Sequence, residues 1–137
     1  MTTTIMGNQM APEFRPGENR TSSAIGAALC VKRVAAEAPD SVVVTAADTD
    51  VPCGVTSAAL PASAGGVHGV GDVVLRGRTR VTASAAITAG DRLAPEAAGK
   101  VKTAASGDIV IGQALEAATA DDDVIMAEID CTAPVLL

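Results

Sequence analysis

The chain has 137 residues, a net charge of -6 and one aromatic residue, Phe14. The acidic balance and the missing aromatics exclude the basic footprint and the stacking platforms of a nucleic-acid binder. No apolar run reaches the ~18–20 residues of a membrane span, so neither nucleic acid nor a membrane is an expected partner. The length fits one domain with a core of its own. That core must be assembled from Val, Ile, Leu and Ala. These side chains each bury little area, at about 25 cal/mol per Å², so stability is expected to lean on sheet hydrogen bonding and on association with other chains.

In chain order, Met1 to Ser23 mixes Thr, Asn, Gln and charges with Pro12, Pro16 and Gly17 and shows no steady period. Such composition does not cover the entropy cost of ordering on its own. It reads as an extended arm (1–23) preceding a single β domain (24–137). The arm is either a frayed terminus or a segment that orders against a neighbouring subunit, for example by adding a strand. Without an apolar signal core no secretory leader is expected, and the sequon Asn19-Arg20-Thr21 carries little weight.

The segment from 24 to 38 is ambiguous: Ser23 could cap a helix there and Pro39 end it, but Leu29, Val31 and Arg33 alternate with Cys30, Lys32 and Val34, which favours a strand near 27–35. Pro39-Asp40-Ser41 is a turn, Val42 to Thr45 a β-branched strand, Asp48-Thr49-Asp50 the next turn, and Val51 to Val55 a strand. Pro52 inside that last run places it at an edge or a bulge. Ala58 to Gly71 reads as a small-residue connection ending in a glycine-rich loop. A strand follows the loop instead of a helix, which argues against a phosphate cradle.

Asp72 to Ala83 is the clearest strand. Val73, Leu75, Gly77, Thr79 and Val81 are expected on one face, and Val74, Arg76, Arg78, Arg80 and Thr82 on the other. The three arginines read either as a solvated strand edge or as a contact for acidic groups, which Arg binds bidentately. Ile87 to Leu93 follows as a strand entered through a turn. Pro95 to Lys100 is a loop with Gly99-Lys100 at a hairpin tip. Two more strands are expected near 109–115 and 124–129, then a short tail to Leu137.

A repeat underlies this order. Laid over each other, the stretches from Val43 and Val101 share Val43/Val101, Thr45/Thr103, Ala46/Ala104, Ala47/Ala105, Asp50/Asp108, Gly54/Gly112 and Ala59/Ala117. Each is followed by an Asp-led apolar run, at Asp72 and at Asp123. Two copies are too few for a solenoid. They predict a duplicated β unit closing on itself as one barrel or sandwich.

No catalytic set stands out, and no cofactor or metal is expected. The three cysteines, Cys30, Cys53 and Cys131, are odd in number and widely spaced, which suits buried free thiols. Cys53 with the only histidine, His68, could make a nucleophile and base, but its flanks resemble no nucleophile turn. Asp121-Asp122-Asp123 lacks the spaced ligands of a calcium loop and reads as a polar turn.

Several stretches resemble the small capsid cement or head decoration proteins of tailed bacteriophages. They are Val31-Lys32, the D-x-x-x-G-V run at Asp50 to Val55, ITAGDRL at Ile87 to Leu93, GKVKTA at Gly99 to Ala104, and IGQALEAA at Ile111 to Ala118. The resemblance spans roughly 27–129. It implies a small β-barrel or β-tulip-like domain without enzyme activity. It also implies trimers on the outer surface of the virion head, at three-fold and quasi-three-fold positions on the major capsid protein, with an N-terminal arm reaching over that protein. The capsid contacts are expected from the arm (Phe14, Arg15, Arg20) and from Arg76, Arg78 and Arg80. The alternative is a small-ligand-binding β-clip module, whose strand–ITAGD–strand grammar the ITAGDRL stretch also resembles.

Overall fold

The computed structural model describes residues 12–137. Eleven strands follow one another: β1 (Glu13–Asn19), β2 (Cys30–Arg33), β3 (Val42–Val44), β4 (Gly54–Thr56), β5 (Gly69–Thr82), β6 (Arg92–Pro95), β7 (Val101–Thr103), β8 (Ile109–Val110), β9 (Gly112–Ala114), β10 (Val124–Asp130) and β11 (Val135–Leu136). One turn of 3-10 helix (Ala97–Gly99) joins β6 to β7. Nine strands form a single antiparallel sheet in the order β3-β2-β4-β5-β10-β9-β6-β7, with β1 on β5. The pair β11-β8 stands apart. The sheet curls into a half-barrel, as expected of a mainly β chain. Its two ends are tied together: Thr45 Oγ1 donates to the Glu96 carbonyl (2.9 Å), and the Gly99 amide donates to the Thr45 carbonyl (3.1 Å).

The strand order repeats in reverse about its centre. β2 pairs with β3 and β4 as β6 pairs with β7 and β9, and β4 pairs with β5 as β9 pairs with β10. The isolated bridge Ile25↔Leu60 has its counterpart in Ile87↔Ala118. β1 on the first half of β5 matches the second half of β5 on β10. The chain is therefore two copies of one unit, about 13–75 and 76–130. β5 closes the first copy and opens the second.

This duplication keeps the sequence alignment at Gly54/Gly112 but not at the Asp-led runs. The pairs Thr56↔Val73 and Ala114↔Ala127 set Val73 against Ala127, so Asp72 matches Met126 and not Asp123.

Other expectations shift. Residues 13–19 of the expected arm lie in the sheet, along β5 of their own chain; residues 1–11 of that arm lie outside the described residues. Asn19 pins the end of β1. It is fully buried, donates to the carbonyls of Ser23 and Pro61, and accepts from Thr21, so the asparagine of the sequon is closed off from solvent. Pro52 marks neither an edge nor a bulge, because the strand starts after it, at Gly54, and lies between β2 and β5. Ile87 to Leu93 is not one strand: the Asp91 carboxylate accepts from the Thr88 amide (3.1 Å), Gly90 takes φ 94°, and the strand begins at Arg92. The glycine-rich connection ends earlier than expected, since β5 already includes Gly69 and Gly71. Glycine is required at 69 by close approach: a Cβ there would lie 2.6 Å from the backbone carbonyl carbon of Pro61. The tail carries β11.

The core has two parts. A smaller cluster gathers Ile25, Val31, Val42, Leu60 and Val73; a larger one gathers Cys30, Val55, Val74, Val81, Leu93, Val101, Ile125, Ala127 and others. Val73 and Val74 are successive residues pointing to opposite faces, one into each cluster. β5 is the wall the two clusters share.

Candidate interaction surface

β5 lies in the middle of the sheet, so its arginines do not form a strand edge. Over Arg76 to Val81 the expected alternation holds, with Arg76, Arg78 and Arg80 exposed and Val81 buried. It fails on either side of that stretch, where Val74 and Thr82, on the expected arginine face, are buried. Across the ladder Arg76 faces Asp130, Arg78 faces Glu128, and Arg80 faces Met126. The ion pairs are loose: Arg78 Nε–Glu128 at 3.9 Å, and Arg76 Nε–Glu13 at 3.7 Å, all four side chains about half exposed. Exposed pairs of this kind are worth ~0–1 kcal/mol, so these guanidiniums can exchange partners at little cost. Among the described residues no carboxylate comes within ion-pair distance of Arg80 or Arg92.

The ladders extend this surface sideways. Arg78 is level with Glu128, Glu128 with Gln113, and Gln113 with Arg92. All four are exposed. They make one polar row over β5, β10, β9 and β6, beside a shallow groove of about 460 Å³ that Arg92, Gln113, Glu128 and Asp130 help to line. Asp130 is held below the usual carboxylate range, first by the Thr132 hydroxyl, then by the Thr132 amide and the Arg76 charge. Gln113 Nε2 donates to the Gly90 carbonyl (3.0 Å), which fixes its direction.

Of the other expected contact residues, Phe14 is half exposed and pairs with Val74, two residues before Arg76. Arg15 reaches Asp40 (3.4 Å). Arg20 lies past the far end of β1 and is held by Glu18 (2.5 Å). From Gly69, where β1 ends, to Arg76 is seven residues of β5, roughly 24 Å, so Arg20 is not part of the arginine row. Sequence reading missed Arg92, Gln113, Glu128 and Asp130. The period-2 alternation of Glu128 and Asp130 with Ile125, Ala127 and Ile129 was the available signal for the acids.

Elsewhere the chemistry is quiet. Burial pushes the Cys30 thiol up to about 12 and raises Cys53 and Cys131, the reverse of an activated nucleophile. His68 Nδ1 hydrogen-bonds Ser63 Oγ (2.9 Å). Asp121 and Asp122 hold Lys100, and Asp123 closes its turn on the amides of Thr119 and Ala120. Among the described residues no group of three His, Cys, Asp or Glu is placed to hold a metal.

Two comparisons bear on this surface. The phage cement protein family matches residues 21–129. The crystal structure of the head fiber gp8.5 N base in bacteriophage phi29 aligns with a TM-score of 0.66 at 18% identity, over 87% of this chain and 96% of that one. No curated protein matches.

Proposed function

The chain belongs to the phage cement protein family, structural proteins of the outer capsid surface, and on that premise we propose that it binds the major capsid protein as a homotrimer and stabilises the shell. The trimer sits at three-fold and quasi-three-fold positions. A closed trimer presents one patch three times, so weak contacts add by avidity.

The observation that carries this reading is the Arg76, Arg78 and Arg80 row, exposed and only loosely paired on an otherwise acidic chain. Phe14 adds an apolar contact beside it. Arg15 and Arg20 contribute less, being paired within the chain. The resemblance also implies capsid contacts from the N-terminal arm expected over 1–23, of which residues 13–19 lie in β1.

The test uses purified shells lacking this chain, re-decorated with wild-type protein, with a variant lacking residues 1–11, and with the R76S/R78S/R80S variant. Bound protein is read by gel densitometry and shell strength by a melting curve. Saturable binding at about one chain per capsid subunit with a raised shell melting temperature is expected for wild type. Lower occupancy is expected for both variants. Wild-type protein that leaves the shells bare would reject the reading.

A further inference from the structure

The duplication gives each position on the row a counterpart. Arg78, Glu128, Gln113 and Arg92 in the second unit match Phe14, Val74, Val55 and Cys30 in the first. In the first unit the row is apolar, and Val74, Val55 and Cys30 are buried in the larger cluster. In the second unit the same place is polar and exposed. The fold covers one copy of this face and leaves the other open.

The open copy is also charged against the rest of the molecule. The chain carries -6 overall, yet Arg76, Arg78, Arg80 and Arg92 outnumber Glu13, Glu128 and Asp130 here. Arg78 and Arg92 are three strands apart, roughly 14 Å at ~4.8 Å per strand, with the groove of about 460 Å³ alongside.

We propose that this row, from Arg78 across Glu128 and Gln113 to Arg92, with the groove beside its Arg92 end, is the seat of an extended acidic segment of the shell protein. Carboxylates of that segment engage Arg78 and Arg92 bidentately, and the Gln113 carbonyl is left to accept a backbone N–H between them. Glu128 sits between the two cations and opposes an incoming carboxylate, so it weakens the contact. The assignment rests on the capsid-binding reading and adds Arg92, Gln113 and Glu128 to it.

The experiment measures affinity of the full chain for shells lacking it, by sedimentation at several salt concentrations. Wild type, R92S, E128Q and K100S are compared, each checked for an unchanged melting temperature. R92S should bind at least fivefold more weakly, with a shallower salt dependence, and E128Q should bind more tightly. K100S removes the same charge as R92S at a distant turn and should bind as wild type does. Equal binding by wild type and R92S, or loss of binding by K100S as large as by R92S, would overturn the groove while leaving capsid binding intact. Wild type failing to bind would instead reject the capsid reading. A synthetic Glu-rich decapeptide should compete with shells for wild type and not for R92S; competition that R92S leaves unchanged counts against the groove as well.

Discussion

The two units share a strand plan and differ in what they do with it. In the first, Leu60 and Val73 fill a small core; their counterparts in the second are Ala118 and Ala127. The larger side chains fit because glycines face them: a Cβ at Gly17 or Gly71 would lie 2.5 Å from Val73 or Leu60. The first unit thus packs both faces of its sheet. The second buries one face in the larger cluster and leaves the other as the Arg78–Arg92 row. The same strand plan is thus covered on this face in the first unit and open to solvent in the second.

The largest test of this equivalence is at the glycines kept in both units. A Cβ at Gly54 would lie 2.6 Å from the Val74 carbonyl oxygen, and one at Gly112 would press on the Glu128 carbonyl and lie 2.9 Å from Ile129 Cα. The obstacle in each case is the backbone of the matching strand, which cannot swing aside. G54A and G112A should each cost at the upper end of the ~1–3 kcal/mol typical of overpacking, by urea denaturation. A neutral result at one site with a large one at the other would break the equivalence.

The rows separate the units next. Val55 is fully buried and Gln113 exposed at matching places. V55A removes two buried methyl groups and opens a cavity, so it should cost about 2 kcal/mol. Q113A should stay within ~0.5 kcal/mol and act on shell binding instead. A Q113A variant as unstable as V55A would mean that the second row is structural.

The repeat was legible because turn chemistry preserved it. Asp50 and Asp108 each close a turn on the amide of a matching alanine, Ala47 or Ala105, and Gly54 and Gly112 each admit a neighbouring backbone, so those residues could not drift. β1 was not legible. It matches Arg76 to Thr82 in place, but Phe14 stands for Arg78, Pro16 for Arg80 and Gly17 for Val81; its strand state comes from pairing with β5 and from the Asn19 anchor, not from its own pattern. The arginines of β5 stood out because alternation within one strand exposes them. Arg92, Gln113 and Glu128 lie on three strands, and only the registers of β6, β9 and β10 bring them level, which no local period reveals. β11 is too short, at two residues, to have a period.

The turn aspartates give the smallest difference and the one that responds to pH. The Asp50 carboxylate accepts from the amides of Ala46 (2.7 Å) and Ala47 (3.1 Å) and from Lys32 (3.0 Å). Asp108 accepts from the Ala105 amide (2.8 Å) and pairs with Lys102 (3.4 Å). Both are held below the usual range, chiefly by those backbone N–H groups. A carboxyl that is more acidic folded than unfolded favours the folded state while ionised. Its contribution is complete above the unfolded value, near 4, and is lost as pH falls through the lower folded value. The melting temperature of wild type should therefore decline as pH drops below about 4. D50N and D108N keep an acceptor for the turn amides but cannot titrate, so each should melt lower than wild type at pH 7 and converge on it by pH 2. The Asp50 turn is the more strongly closed, with two amides on one oxygen, and D50N should flatten the pH profile more than D108N does. If D108N flattened it more, the number of amides on the carboxylate would not be what sets the strength of these turns.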